Sequence, residues 1–126
     1  MDYPSQKPPT AADHYEATLT PDVNAAYGAW SQLSAAITHR AVWVSVSVEA
    51  EGGPSASGLK VEIGTGGAGS EVSFVRTICF VAGAGGGNAQ YEFPFLIPEG
   101  TRLAARAAMT GTTLPDTVRV IVSTRY

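Results

Sequence analysis

The chain has 126 residues, of which 44% are hydrophobic and 15% charged, and a formal net charge of -3. That length supports one domain with its own core and excludes a two-domain enzyme. Eight Lys and Arg against eleven Asp and Glu supply no basic field to hold a phosphate backbone, so nucleic acid is not expected as a partner.

The composition lies away from the polar, highly charged chains that stay disordered. Cys79 is the single cysteine, which excludes an intrachain disulfide and the Cys-rich secreted scaffolds. The start MDYPSQKPPT lacks a basic segment followed by an apolar one, and no run approaches the roughly 18 apolar residues needed to span a bilayer. The expectation is a chain with neither a cleaved leader of its own nor a membrane partner.

Residues 1–22 hold Pro4, Pro8, Pro9 and Pro21 and almost no aliphatic side chain before Leu19. Proline fixes φ and removes a backbone donor, so this stretch reads as an extended arm, with a sandwich domain over 23–126. Something outside the domain would have to order such an arm. Tyr3, Pro8, Pro9, His14 and Tyr15 are its candidate contacts. Pro21 to Ala36 is the one helix candidate, but Gly28 and scattered apolar residues break any 3.6-residue stripe, and Ala29 to Ile37 reads equally as a strand carrying Trp30 and Leu33.

From Ala41 the period is two. Val42, Val44, Val46 and Val48 face one way, Ser45 and Ser47 the other, as in a half-buried strand. Trp43 lies opposite the valines, where it covers a strand edge or meets a neighbouring subunit. After a turn-rich EGGPSASG, Leu59, Val61 and Ile63 alternate with Lys60 and Glu62. Val72, Phe74, Arg76, Ile78 and Phe80 then share one parity, with Val75 and Cys79 on the other. AGAGGGNA leads to Tyr91, Phe93, Phe95 and Ile97, interrupted by Pro94, whose missing N–H predicts a sheet edge or a bulge. A turn at Pro98 to Thr101 precedes Leu103, Ala105 and Ala107, which alternate with Arg102 and Arg106. Val118, Val120 and Val122 close the series opposite Arg119. Six clear strands and one or two further ones, joined by Gly/Pro loops with no crossover helix, predict an all-β antiparallel two-sheet sandwich.

The chemistry-bearing motifs are weak. Gly64 to Gly69 matches G-x-G-x-x-G, but a β pattern follows it where a phosphate site needs a helix N-terminus. His14 with Asp13 and Glu16 does not preset a metal shell, and His39 beside Arg40 reads as a surface residue. Cys79 between Ile78 and Phe80 reads as a buried thiol. There is no G-x-S-x-G, and no acidic pair sits in a recognisable motif. The expectation is no enzyme, no metal and no cofactor. Arg102 and Arg106 point the same way from one strand, and either grip carboxylates across a subunit boundary or stand solvated. Trp30 reads as core or as interface, and Trp43 as an interface candidate.

Gly67-Ala-Gly-Ser-Glu71 together with Tyr91-Glu-Phe-Pro-Phe-Leu-Ile-Pro-Glu-Gly-Thr-Arg-Leu-Ala-Ala-Arg-Ala107 resembles small structural proteins of tailed bacteriophages, in which an aromatic strand runs into a Pro-x-Gly-Thr-Arg turn and an Ala/Arg strand. The likeness covers about residues 30 to 126. It implies a jelly-roll-like domain on a virion assembled in the bacterial cytoplasm, a symmetric homo-oligomer with a trimer favoured, and the major capsid protein or other virion proteins as partners. A head decoration or cement protein is the first expectation, and a tail-fibre, baseplate or receptor-binding component the second, with loop 83–89 turned to the host. A small cupin-like enzyme would need several histidines on the strands, and the strands carry none.

Overall fold

The computed structural model describes residues 9–19, 27–51, 57–81, 87–109 and 117–126. Eight strands run in chain order: β1 (Ala12–Leu19), β2 (Ser31–Ser34), β3 (Ala41–Glu51), β4 (Ser57–Thr65), β5 (Val72–Val81), β6 (Gly87–Ile97), β7 (Leu103–Met109) and β8 (Thr117–Arg125). They form two four-stranded antiparallel sheets, β1-β8-β3-β6 and β2-β7-β4-β5. The pairs β1·β8, β2·β7, β3·β6 and β4·β5 are those of a long hairpin rolled on itself, so the fold is a jelly-roll β-sandwich.

The alternation read from the sequence sets the core. Val44, Val46 and Val48 meet Val118, Val120 and Val122 from the same sheet, and Leu59, Val61, Ile63, Leu103, Ala105, Ala107 and Met109 face them from the other, all buried. β-branched residues fill a pleated, half-buried surface well, which is why these segments take the strand form.

The sandwich begins earlier than expected. Residues 12–19, assigned by their prolines and lack of aliphatics to the arm, are β1, paired along its whole length with β8. The prolines lie outside 12–19, and within it Tyr15, Ala17 and Leu19 alternate onto the core. A segment whose inward positions are one aromatic, one alanine and one leucine gives a faint period-two signal, and the ladder to β8 supplies the rest. The stretch 27–36, part of the helix candidate, contains β2 and no helix.

Three one-residue register shifts shape the sheets. Ile63 pairs with Val75 but Gly64 with Ser73, leaving Phe74 as the extra residue of β5. Ala41 pairs with Ile97 but Trp43 with Pro94, placing an extra residue in β6 beside the proline. Pro94 is thus at a sheet edge and next to a bulge. The third shift leaves Leu33 extra in β2. The shift at Phe74 also corrects the parity read for β5: Val75 is the core residue there, and Arg76 points outward.

Residues 27–30 run along β7 ahead of β2, where Gly28 N donates to Ala107 O at 2.9 Å, and send the rings of Tyr27 and Trp30 over the outer face of the second sheet. The Arg106 guanidinium sits 4.4 Å from the Tyr27 ring centroid and 4.5 Å from that of Trp30. Beneath it Glu62, 2% exposed, takes Arg106 at 2.7 Å and Arg76 at 3.0 Å. Burial first, then the charge and hydrogen bond of Glu62, push the Tyr27 phenol above its ordinary range. Trp30 packs so closely over Gly64 that an added Cβ would stand 2.9 Å from both its ring and the Val72 carbonyl oxygen. The carbonyl belongs to a paired strand and cannot swing away. Gly64→Ala is therefore expected to lose about 1–3 kcal/mol of stability, measured by urea denaturation. A midpoint equal to wild type would contradict this packing.

Candidate functional site

Tyr27, Trp30 and Arg106 lie over one outer face, and among the described residues two other surfaces are candidates. The first is the edge where β5 and β6, each the last strand of its sheet, lie side by side. Phe74 stacks on Phe95 at 4.7 Å, and Phe93 meets Phe95 edge-on at 6.2 Å. Two of the three bulges fall here, and bulges at sheet edges turn side chains off the regular pleat. Phe74, Val75, Arg76, Tyr91 and Phe93 line a groove of about 290 Å³. Around it Val72 is 68% exposed, Leu96 61%, Tyr91 43% and Phe95 37%. Tyr91 and Phe95 share a parity with buried Ile97, yet they are exposed, with no strand beyond β5 and β6 among the described residues.

The second surface is the outer face of β1-β8-β3-β6. The register lays its side chains in rows. His14, Ser123, Ser45 and Glu92 stand abreast across all four strands. The next row is Glu16, Ile121, Ser47 and Gln90. On the other side Arg125 stands beside Trp43. Three short serines thus occupy the middle of a sheet face ringed by longer side chains, and the result is a trough of about 530 Å³. Trp43 Nε1 donates to Glu92 Oε1 at 2.9 Å and fixes that carboxylate at the rim. Ser45 Oγ and Arg125 Nε are buried and have no hydrogen-bond partner among the described residues.

The sequence-derived candidates are distributed as follows. Tyr3 and Pro8 lie outside the described residues, as do residues 83–86 of the loop proposed to face a host and the Cys79 side chain. The Pro9 carbonyl accepts from Arg125 Nη1 at 3.5 Å. His14 is exposed on the trough wall. Tyr15 is no arm contact. It packs against the core, and its hydroxyl accepts from Thr38 N at 3.2 Å. Asp13 points away from His14 and Glu16, as neighbours on a strand must, and meets His39 Nδ1 at 2.9 Å. His39 in turn stacks on Tyr126 at 3.8 Å. Among the described residues no group of His, Cys, Asp and Glu converges as a metal site.

Arg102 and Arg106 do share a face, and both find partners inside the chain. Arg102 reaches Glu71 Oε1 at 3.0 Å, Gly66 O at 3.1 Å and Gln32 Oε1 at 3.0 Å. Glu71 also accepts from Gly69 N at 3.0 Å. The glycine loop is therefore a pinned hairpin turn: Gly66 has φ of +117°, and β5 follows with no helix. The sequence marked neither Glu62 nor Glu71 as an arginine partner, since each looks like one charged residue among glycines or valines.

The backbone amides of Glu71 itself and of Gly69, with Arg102 beside them, hold the Glu71 carboxyl below its ordinary range. A carboxyl lowered in the folded state contributes stability that is present above its unfolded pKa and lost as pH falls through the folded one. Acidification below the usual glutamate range is thus expected to release the turn, read as a change in the Gly69 amide resonance. A Gly69 signal that does not follow the Glu71 titration would contradict it.

No protein-family profile and no curated protein matches the chain. Among solved structures it is similar to one described as the crystal structure of PirA, with 12% identity and a TM-score of 0.44 over 90% of this chain and 93% of that one. It is also similar to a chain from the structure of infectious bursal disease virus, Gx strain, with 14% identity and a TM-score of 0.32. There the likeness covers 90% of this chain and 32% of the other, so this chain spans about a third of that protein's length.

Proposed function

We propose that the chain is a non-enzymatic virion structural protein of a tailed bacteriophage, a decoration or cement protein that stabilises the head lattice. The observation that carries the reading is the apolar β5–β6 edge. Exposed apolar patches rimmed by polar residues mark association surfaces, and here two edge strands present Val72, Leu96, Tyr91 and Phe95 together. The resemblance of residues 30–126 to phage structural proteins, and the jelly-roll topology, support the same reading. The occupant of the edge is a second copy of this chain, in a homotrimer that seats on the major capsid protein. Three copies that turn this edge toward a common three-fold axis bury it in every subunit of a closed ring. Binding only the assembled lattice then shifts mass action toward intact particles.

Leu96→Glu is expected to convert the oligomer to monomer without unfolding it, since Leu96 is already in solvent. Light scattering at micromolar concentration measures this, and a monomeric wild type would overturn the self-association. Electron microscopy of particles carrying a labelled chain tests the location. Label over heads supports the decoration role, and particles without label overturn it. The polar trough favours a second reading, a tail-fibre, baseplate or receptor-binding component that touches the host surface, for which the label would sit at the tail.

A further inference from the structure

We propose that the trough on the β1-β8-β3-β6 face binds a short neutral oligosaccharide, an activity that does not depend on where on a particle the chain sits. The floor decides the class of ligand. β8 and β3 are interior strands, each paired on both sides, so their backbone groups are committed to ladders and an extended peptide has no strand edge to join. What the floor offers instead is side-chain hydroxyls, from Ser47 and Ser123.

The rim adds groups that present two hydrogen-bonding atoms each. Gln90, Glu92, Arg125 and His14 line the same trough. Carboxamide, carboxylate and guanidinium groups hold their two atoms at a fixed separation, which suits a pair of adjacent sugar hydroxyls, donors and acceptors at once. Ile121 supplies the apolar patch that the C–H face of a pyranose requires. The charges nearly cancel, one carboxylate against one guanidinium and an imidazole, so no field selects a phosphate, sulfate or other polyanion.

The site is built on strands rather than loops, with Glu92 held by Trp43 at 2.9 Å, and a preformed rim loses little freedom on binding.

The test is an NMR titration of the full ¹⁵N-labelled chain with maltotriose, cellotriose, chitotriose and lactose in turn, with sialyllactose as the charged counterpart. The expected result is a millimolar interaction with at least one neutral sugar, with amide shifts concentrated at Ser45, Ser47, Gln90 and Ser123, and no gain from the sialic acid. Ser47→Trp, which fills the trough, and Gln90→Ala, which removes a rim partner, should each weaken binding about tenfold or more, the equivalent of one good polar contact. Lys60→Ala, on the opposite sheet, should leave it unchanged. The wild-type shift map stands even if a variant fails to fold. Absence of shifts with all four neutral sugars at about 10 mM, a range in which even weak sugar sites respond, overturns the proposal. So do shifts centred away from these strands, or binding of sialyllactose alone.

Discussion

Replacing Glu62 by alanine should lower the unfolding free energy by about 3 kcal/mol, the scale of breaking a buried ion pair on one side. The carboxylate is 2% exposed and sits under Arg106, which is itself held between two aromatic rings. Without Glu62, the Arg106 guanidinium remains partly buried with no counter-charge, and the Tyr27 hydroxyl loses its acceptor. Arg76 contributes little to the loss, because its side chain is largely in solvent and exposed ion pairs are weak. Glu62→Gln, which keeps an acceptor for Tyr27 and Arg106 but not the charge, is expected to fall between wild type and alanine. Urea midpoints measure both. A loss below about 0.5 kcal/mol for the alanine variant, the level of an ordinary surface substitution, would show that the 27–30 segment holds by its rings alone. Alanine at Arg102 or Arg106 should likewise act first on folding, since each guanidinium has partners within the chain.

The second large effect concerns the N-terminal segment. Removing residues 1–20 deletes β1, strips one of the two ladders from β8, and opens Val118, Val120 and Val122 along what becomes a new sheet edge. Tyr15, Ala17 and Leu19 leave the core with it. The loss is on the order of 5 kcal/mol by area bookkeeping, comparable to the whole stability of a small domain. The expected product is an unfolded or aggregating chain without a cooperative thermal transition by circular dichroism. Removing residues 1–8 retains all eight strands and should leave that transition in place, which makes it the appropriate variant for asking whether the extreme N-terminus attaches the protein to particles. A cooperative transition near the wild-type midpoint after removal of 1–20 would contradict the role of β1.

Much of the sandwich was legible in the residues. Runs such as Val44-Ser-Val-Ser-Val48 or Leu59-Lys-Val-Glu-Ile63 state strand, facing and core in one pattern, because a pleated backbone repeats every two residues and only one face is buried. β1 escaped notice because its inward set mixes tyrosine, alanine and leucine. The outward set of β7 misled in another way. Arg102 and Arg106 read either as a grip across a subunit boundary or as solvated charges, but the rings of Tyr27 and Trp30 lie over this face, and Ala104 and Ala108 are fully buried. Such a cover comes from a distant stretch of chain, and nothing local announces it. The candidate sites were less legible still. His14, singled out for an arm, lines the trough, and Trp43, singled out for an interface, holds Glu92 at its rim, while nothing local marks Ser45, Ser47, Ser123 or Gln90.

Local pattern therefore determined by itself that this is an all-β chain, where most strands lie, and which side chains form the core, since those follow from the period of the backbone and the need to remove apolar surface from water. Which strands become neighbours is a long-range matter, settled when β1 meets β8 and β5 comes to lie beside β6. Only that pairing sets the serines abreast, buries Glu62 between two arginines, and leaves one apolar edge uncovered. A site assembled from four strands has no spacing in the chain to betray it, because its geometry exists only after the strands have found their registers.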